Sequence, residues 1–157
     1  MKMNHSIGRA IILGGLIAGS IDIGAAALIN WLSPVFILQV VAGGLLGRGS
    51  ISGGMHTAAL GLFLQWAMSL LIAAIYVIAS EIFPALKRHW IAGGLVYGLG
   101  IFAVMNYVVF PLSAYRRFPH FTLLSAGENL LAMLLFGFLV AFFARQPHAQ
   151  FPATKYH

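Results

Sequence analysis

The chain contains no cysteine, which excludes disulfide frameworks, iron–sulfur clusters and thiolate metal sites. Charge is the next shortage. Only three residues are acidic and nine are Lys or Arg, so charged side chains make up 8% of the 157 residues. A soluble domain carries about 25%, because its surface must face water. The hydrophobic share is 61% and the mean hydropathy +0.93, so lipid is the solvent for most of the outer surface. Motifs of catalysis are missing as well. There is no G-x-S-x-G elbow, no H-E-x-x-H and no P-loop, so nothing points to an enzyme.

The net charge of +6 does not imply nucleic acid. The basic residues stand in ones and twos between apolar runs, as membrane anchors do. A bilayer core of about 30 Å needs about 20 apolar residues in a helix. Four stretches qualify, at about 9–30, 57–79, 91–111 and 122–144. Backbone groups in lipid must be satisfied within the segment, so these are helices. The first follows Lys2 and Arg9, but it outruns the h-region of a signal peptide, which is about 7–15 residues, and reads as an uncleaved span. Trp31 and Trp90 mark helix ends at the headgroup level.

Residues 33–46 are the ambiguous piece. Ser33 before Pro34 is a good helix start, yet a helix from there to Leu46 is only about 20 Å long. It is expected to lie at the interface or re-enter the membrane, and the glycine-rich stretch 43–54 to be loop. With four spans, Lys2, Arg9, Lys87, Arg88, Arg145 and Lys155 share one side against Arg48, Arg116 and Arg117. Five spans would split them five against four, so the positive-inside rule prefers four.

The expected architecture is therefore an all-α, four-helix transmembrane bundle in residues 1–145, with a polar cytoplasmic tail at 146–157. Both termini face the cytoplasm of a bacterial inner membrane. Residues 12–19 (ILGGLIAG) and 91–98 (IAGGLVYG) share I-x-G-G-L-[IV]-x-G, 79 positions apart. They suggest two parallel copies of a helical hairpin. Gly15/Gly19 and Gly94/Gly98 permit close backbone approach, and the first and third spans are expected to meet through them, within one protomer or between two.

Asp22 carries the most information. It lies about 13 residues beyond Arg9, roughly 20 Å into the span, where a charged group costs about 2.5–3.5 kcal/mol and must face the bundle interior or water. Glu128 falls roughly 9 Å, and Asp22 roughly 12 Å, below the outer edge. Gln65, Asn106, Asn129, Asn30 and His56 belong to the same half or its rim, whereas the inner half is nearly free of such groups. The expectation is a polar pocket opening outward rather than a continuous pore. It suits a cation, a proton or a small polar ligand. His56 and His120 add imidazoles at the rim, but without ligand spacing they read as surface residues, and neither metal nor cofactor is expected. The alternative is an accessory or assembly subunit whose small-residue faces dock other helices. Expected partners are the bilayer and either a second copy of the chain or a larger membrane complex.

Three stretches carry a resemblance: residues 8–30, S-P-x-x-I-L-Q-x-x-A-x-G-L-L-G at 33–47, and M-N-Y-V-V-x-P-L-S at 105–113. Together they resemble a group of small bacterial inner-membrane proteins of unknown function, the YagU-like family. The resemblance implies the helical topology and no chemistry. Relatives of that kind carry histidine where this chain has Gln65 or Met133, so no histidine-based site carries over.

Overall fold

The computed structural model describes residues 5–114 and 123–145. Expectations that rest on Lys2, Arg116, Arg117, His120, Lys155 and the tail at 146–157 lie outside the described residues. The helices are α1 (His5–Ile29), α2 (Pro34–Leu46), α3 (Gly54–Ile82), α4 (Pro84–Arg88), α5 (Trp90–Val104), α6 (Phe110–Leu112) and α7 (Leu123–Ala144). A 3-10 turn (Gly47–Ser52) joins α2 to α3, and a π-helical turn (Met105–Val109) joins α5 to α6. No strand occurs among the described residues. Five helical stretches are long and apolar enough to cross a membrane: Ser6–Ile29, Pro34–Ser52, Gly54–Ile82, Trp90–Leu112 and Leu123–Ala144.

Each boundary has a local cause. α1 ends in a Schellman turn: the Leu32 N–H reaches the Ala27 carbonyl at 3.0 Å and the Trp31 N–H that of Leu28 at 3.3 Å. Trp31 takes the left-handed position, at φ 52°, that glycine usually fills. Ser33 caps α2 by accepting the Phe36 N–H at 3.2 Å, and Pro34 occupies the first turn, as the sequence leads one to expect. Pro84 ends α3 by holding Phe83 in an extended conformation, ψ 89°. Pro111 has no N–H for the Tyr107 carbonyl, and its ring crowds that oxygen. The helix widens just before it, and the Phe110 N–H reaches back five residues to Met105.

The glycine-rich stretch departs from expectation. In place of loop at 43–54, α2 runs through Leu46 and a 3-10 turn follows. Gly47, at φ 74°, makes the corner. The Gly44 carbonyl accepts the Ala114 N–H at 2.8 Å, which ties α2 to the end of α6.

Small residues at the crossings set the packing. A methyl group built on Gly15 would lie 2.9 Å from the Leu70 Cα, and Gly19 lies against Ser69, so α1 seats on α3. Gly94 and Gly98 face Gly137, Ala141, Met133 and Leu134, so α5 seats on α7. The glycines thus sit at close crossings, but each pair meets the next long helix in the chain; the crossing expected between the first and third spans is not where they pack. Phe143 against Gly14 brings α7 onto α1, and the Leu38 carbonyl lies on Gly61, bringing α2 onto α3. The shared core is Ala18, Ala73, Tyr76, Val77, Ile101, Phe136, Val140 and Ala141. Outward, Leu28, Phe63, Leu71, Val96 and Leu131 are exposed, an apolar girdle suited to lipid tails.

These pairings fix direction. Gly15 meets Leu70, while Asp22, seven residues on, bonds Gln65. α1 and α3 are therefore antiparallel, and α5 and α7 are antiparallel by the same logic. Ile29 and Gly54 share one end of the bundle, and α2 with its 3-10 turn leaves from and returns to that end. Arg9, Lys87, Arg88 and Arg145 gather at the other. There Lys87 pairs with Glu81 at 2.7 Å, and the Arg145 guanidinium stacks on Trp90 and Phe142, 4.5 and 4.3 Å from the ring centroids.

Candidate functional site

The antiparallel crossing of α1 and α7 diverges toward the end where α1 stops, and a cleft opens between them. It is lined by Asp22, Ala26, Ile29 and Asn30 from α1 and by Ser125, Glu128, Asn129, Ala132 and Met133 from α7. The spacings 22–26–29 and 125–128/129–132 place these residues on one face of each helix. The volume is about 270 Å³, just under the range of about 300–1,000 Å³ that holds drug-sized ligands. An ion with its water, or a small polar molecule, is the fitting scale.

Asp22 stands at the floor. Gln65 of α3 donates from Nε2 to its Oδ2 at 2.9 Å, so the amide fixes one carboxylate oxygen. Nearby, Trp66 Nε1 points at Ser20 Oγ, 3.4 Å away, fastening the same two helices. Higher in the cleft, Asn129 donates to Asn106 Oδ1 at 3.5 Å, while Asn106 Nδ2 donates to the Phe102 carbonyl at 2.8 Å. Asn106 is 5% exposed and belongs to the π-helical turn, so the widening imposed by Pro111 points this amide inward. At the mouth, Asn30 Nδ2 closes on the Ala26 carbonyl at 2.8 Å.

Four of the sequence candidates thus join into two pairs, Asp22 with Gln65 and Asn106 with Asn129. Glu128 lines the same cleft as Asp22. His56 does not: it is exposed in the first turn of α3 and absent from the lining. Sequence reasoning missed Ser125, which follows Glu128 backward by one helical turn and was readable from that spacing. Among the described residues no Lys, Arg or His lines the cleft, and the polar groups beside its two carboxylates there are amides and a hydroxyl. Such a site accepts hydrogen bonds and attracts positive charge. Among the described residues no group of three or more His, Asp or Glu side chains is placed to hold a metal ion.

The inner half of the bundle is more polar than the sequence suggested. Ser69, Tyr76 and Ser80 are buried along one face of α3, and Tyr97 reaches them from α5. Compared with family models, curated proteins and solved structures, the chain matches none.

Proposed function

We propose that the protein is a bacterial inner-membrane protein of four spans whose cleft between α1 and α7 binds or passes a cation, a proton or a small polar ligand from the outer side. The observation that carries this reading is Asp22, held by Gln65 at the floor of a cleft that a second carboxylate, Glu128, also lines. At that depth an ionisable side chain is expensive and is tolerated where it serves a pathway or a site.

The shared end of Ile29 and Gly54 supports four spans, with α2 leaving and re-entering on one side, although its stretch Pro34–Ser52 is itself long and apolar enough to cross. The basic end, with Arg9, Lys87, Arg88 and Arg145 against Arg48 opposite, faces the cytoplasm by the positive-inside rule. A hairpin duplication fits the same picture, since Gly15/Gly19 and Gly94/Gly98 each face the second long helix of their own hairpin. Kinship with the YagU-like family belongs to this reading and adds no chemistry to it.

The test is a thermal-shift series in detergent across monovalent and divalent cations. Wild type rises in Tm with the cation that binds, and Asp22→Asn folds but loses that rise. A flat wild-type response, matched by Asp22→Asn, counts against the reading. Asp22→Leu, which strands the Gln65 amide, should then be destabilised by about 1–3 kcal/mol. That combination favours an accessory subunit in which Asp22 only fastens helices. One further feature would suit that second role: Ala92, Gly100 and Ala103 are exposed on the outer side of α5, where another helix can come close.

A further inference from the structure

Polarity in the bundle does not stop at Asp22. Along α3, beyond Gln65, the interior positions Ser69, Tyr76 and Ser80 are 1%, 2% and 0% exposed. Steps of four and seven residues keep them on one helix face. Three contacts link this stripe to the neighbouring helices. Ser69 Oγ fills the space a side chain at Gly19 would need, one turn of α1 below Asp22. Tyr97 of α5 donates its hydroxyl to the Ile72 carbonyl at 2.7 Å, between Ser69 and Tyr76, and its ring centroid lies 4.9 Å from that of Tyr76. Tyr76 Oη in turn reaches the basic end. A methyl group on Gly93 would stand 2.9 Å from it and 3.6 Å from the Leu86 carbonyl oxygen.

The Tyr76 hydroxyl, although buried, has no hydrogen-bond partner among the described residues. A hydroxyl so placed is costly unless water partners it, so this region of the interior calls for water. The lengths also fit. Asn30 to Asp22 covers roughly 12 Å and Gln65 to Tyr76 roughly 16 Å at the helical rise. Together they match a hydrocarbon core of about 30 Å.

We propose that Asp22, Ser69, Tyr97 and Tyr76, with water between them, form a proton path from the outward cleft to the α4–α5 end of the bundle. The proposal rests on the reading of the cleft as a cation or proton site. A proton entering the cleft adds to the Asp22 carboxylate. As it moves inward, each oxygen accepts one proton and releases its own to the next, and one proton leaves past Leu86. Nothing is oxidised or reduced, and one proton exits for each that enters. Around Asp22, α7 presents Glu128, α3 the neutral Gln65 and α1 its own Asn30, so among the described residues no basic side chain of the cleft competes for the proton.

The full chain is reconstituted in phosphatidylethanolamine–phosphatidylglycerol vesicles holding a pH-sensitive dye. A valinomycin-clamped potassium gradient drives flux. Wild type should pass protons, Asp22→Asn should not, and Tyr76→Phe and Ser69→Ala should each slow flux by about a hundredfold, the scale of losing one proton-transfer partner. Tyr76→Phe keeps the ring and removes an unpaired hydroxyl, so its Tm should hold or rise; slowed flux at undiminished Tm separates conduction from folding. Flux insensitive to both hydroxyl removals overturns the path. Absent wild-type flux also overturns it. If the Asp22-dependent cation response then persists, the cleft reading stands without the path; if it too is missing, both fall.

Discussion

Gly98→Ala, set against Gly100→Ala two residues away on α5, isolates the close crossing from helix propensity. A methyl group at Gly98 would lie 2.5 Å from the Met133 carbonyl oxygen and 2.8 Å from the Leu134 Cα, both backbone atoms of α7 that no rotamer change can move. At Gly100 nothing stands within 4 Å. To restore ordinary contact α5 must retreat from α7 by about 0.9 Å, and a gap of about 0.5–1 Å forfeits a quarter to a half of each contact's dispersion energy. Overfilling of this kind costs about 1–3 kcal/mol. Gly100→Ala carries no such penalty and gains up to about 1 kcal/mol of helix propensity. Thermal unfolding in detergent, followed by the emission of Trp90, whose ring lies 5.2 Å from that of Phe138 on α7, reports this interface. Gly98→Ala should melt well below wild type and Gly100→Ala at or above it. Equal melting of the two variants would show that the α5–α7 crossing is looser than described.

Two further outcomes are expected. Trp31→Gly removes a left-handed strain of about 1–2 kcal/mol at the end of α1 and should raise Tm in detergent, while the loss of the indole should weaken retention at the headgroup level of vesicles; a lower Tm in detergent would refute the strained turn. Cysteines introduced at Gly49 and Ala85, both in exposed positions, should react with impermeant reagent from opposite sides of the membrane; labelling from one side would contradict the return of α2 to its own end.

Much of this fold was legible because bilayer thickness imposes span length. The expected spans fall within or near α1, α3, the α5–α6 stretch and α7. The Ser33–Pro34 start of α2 was readable too, since a cap and a proline act locally. What the sequence hid was pairing. I-x-G-G-L-[IV]-x-G shows that Gly15 and Gly98 accept a close neighbour, but a missing side chain does not name which helix comes near. The π-helical turn was likewise hidden. Pro111 predicts disruption one turn earlier, yet it does not say whether the helix kinks or widens. In the cleft, depth alone paired Asp22 with Glu128's level, whereas His56, expected in that half or at its rim, stands in the first turn of α3 outside the lining. The buried hydroxyls of Ser69, Tyr76 and Ser80 carry no signal in the sequence, since serine and tyrosine are unremarkable singly; their stripe exists only on the inward face of α3.

The central claim is that Asp22 and Glu128 belong to one cation-accepting cleft open to the outer side. Carbodiimide modification of the protein in sealed, right-side-out vesicles, mapped by mass spectrometry, addresses it directly. The account predicts that both carboxylates are modified and that a single cation, added outside, protects both over the same concentration range. Protection of one without the other, or modification of both indifferent to every external cation, would contradict it.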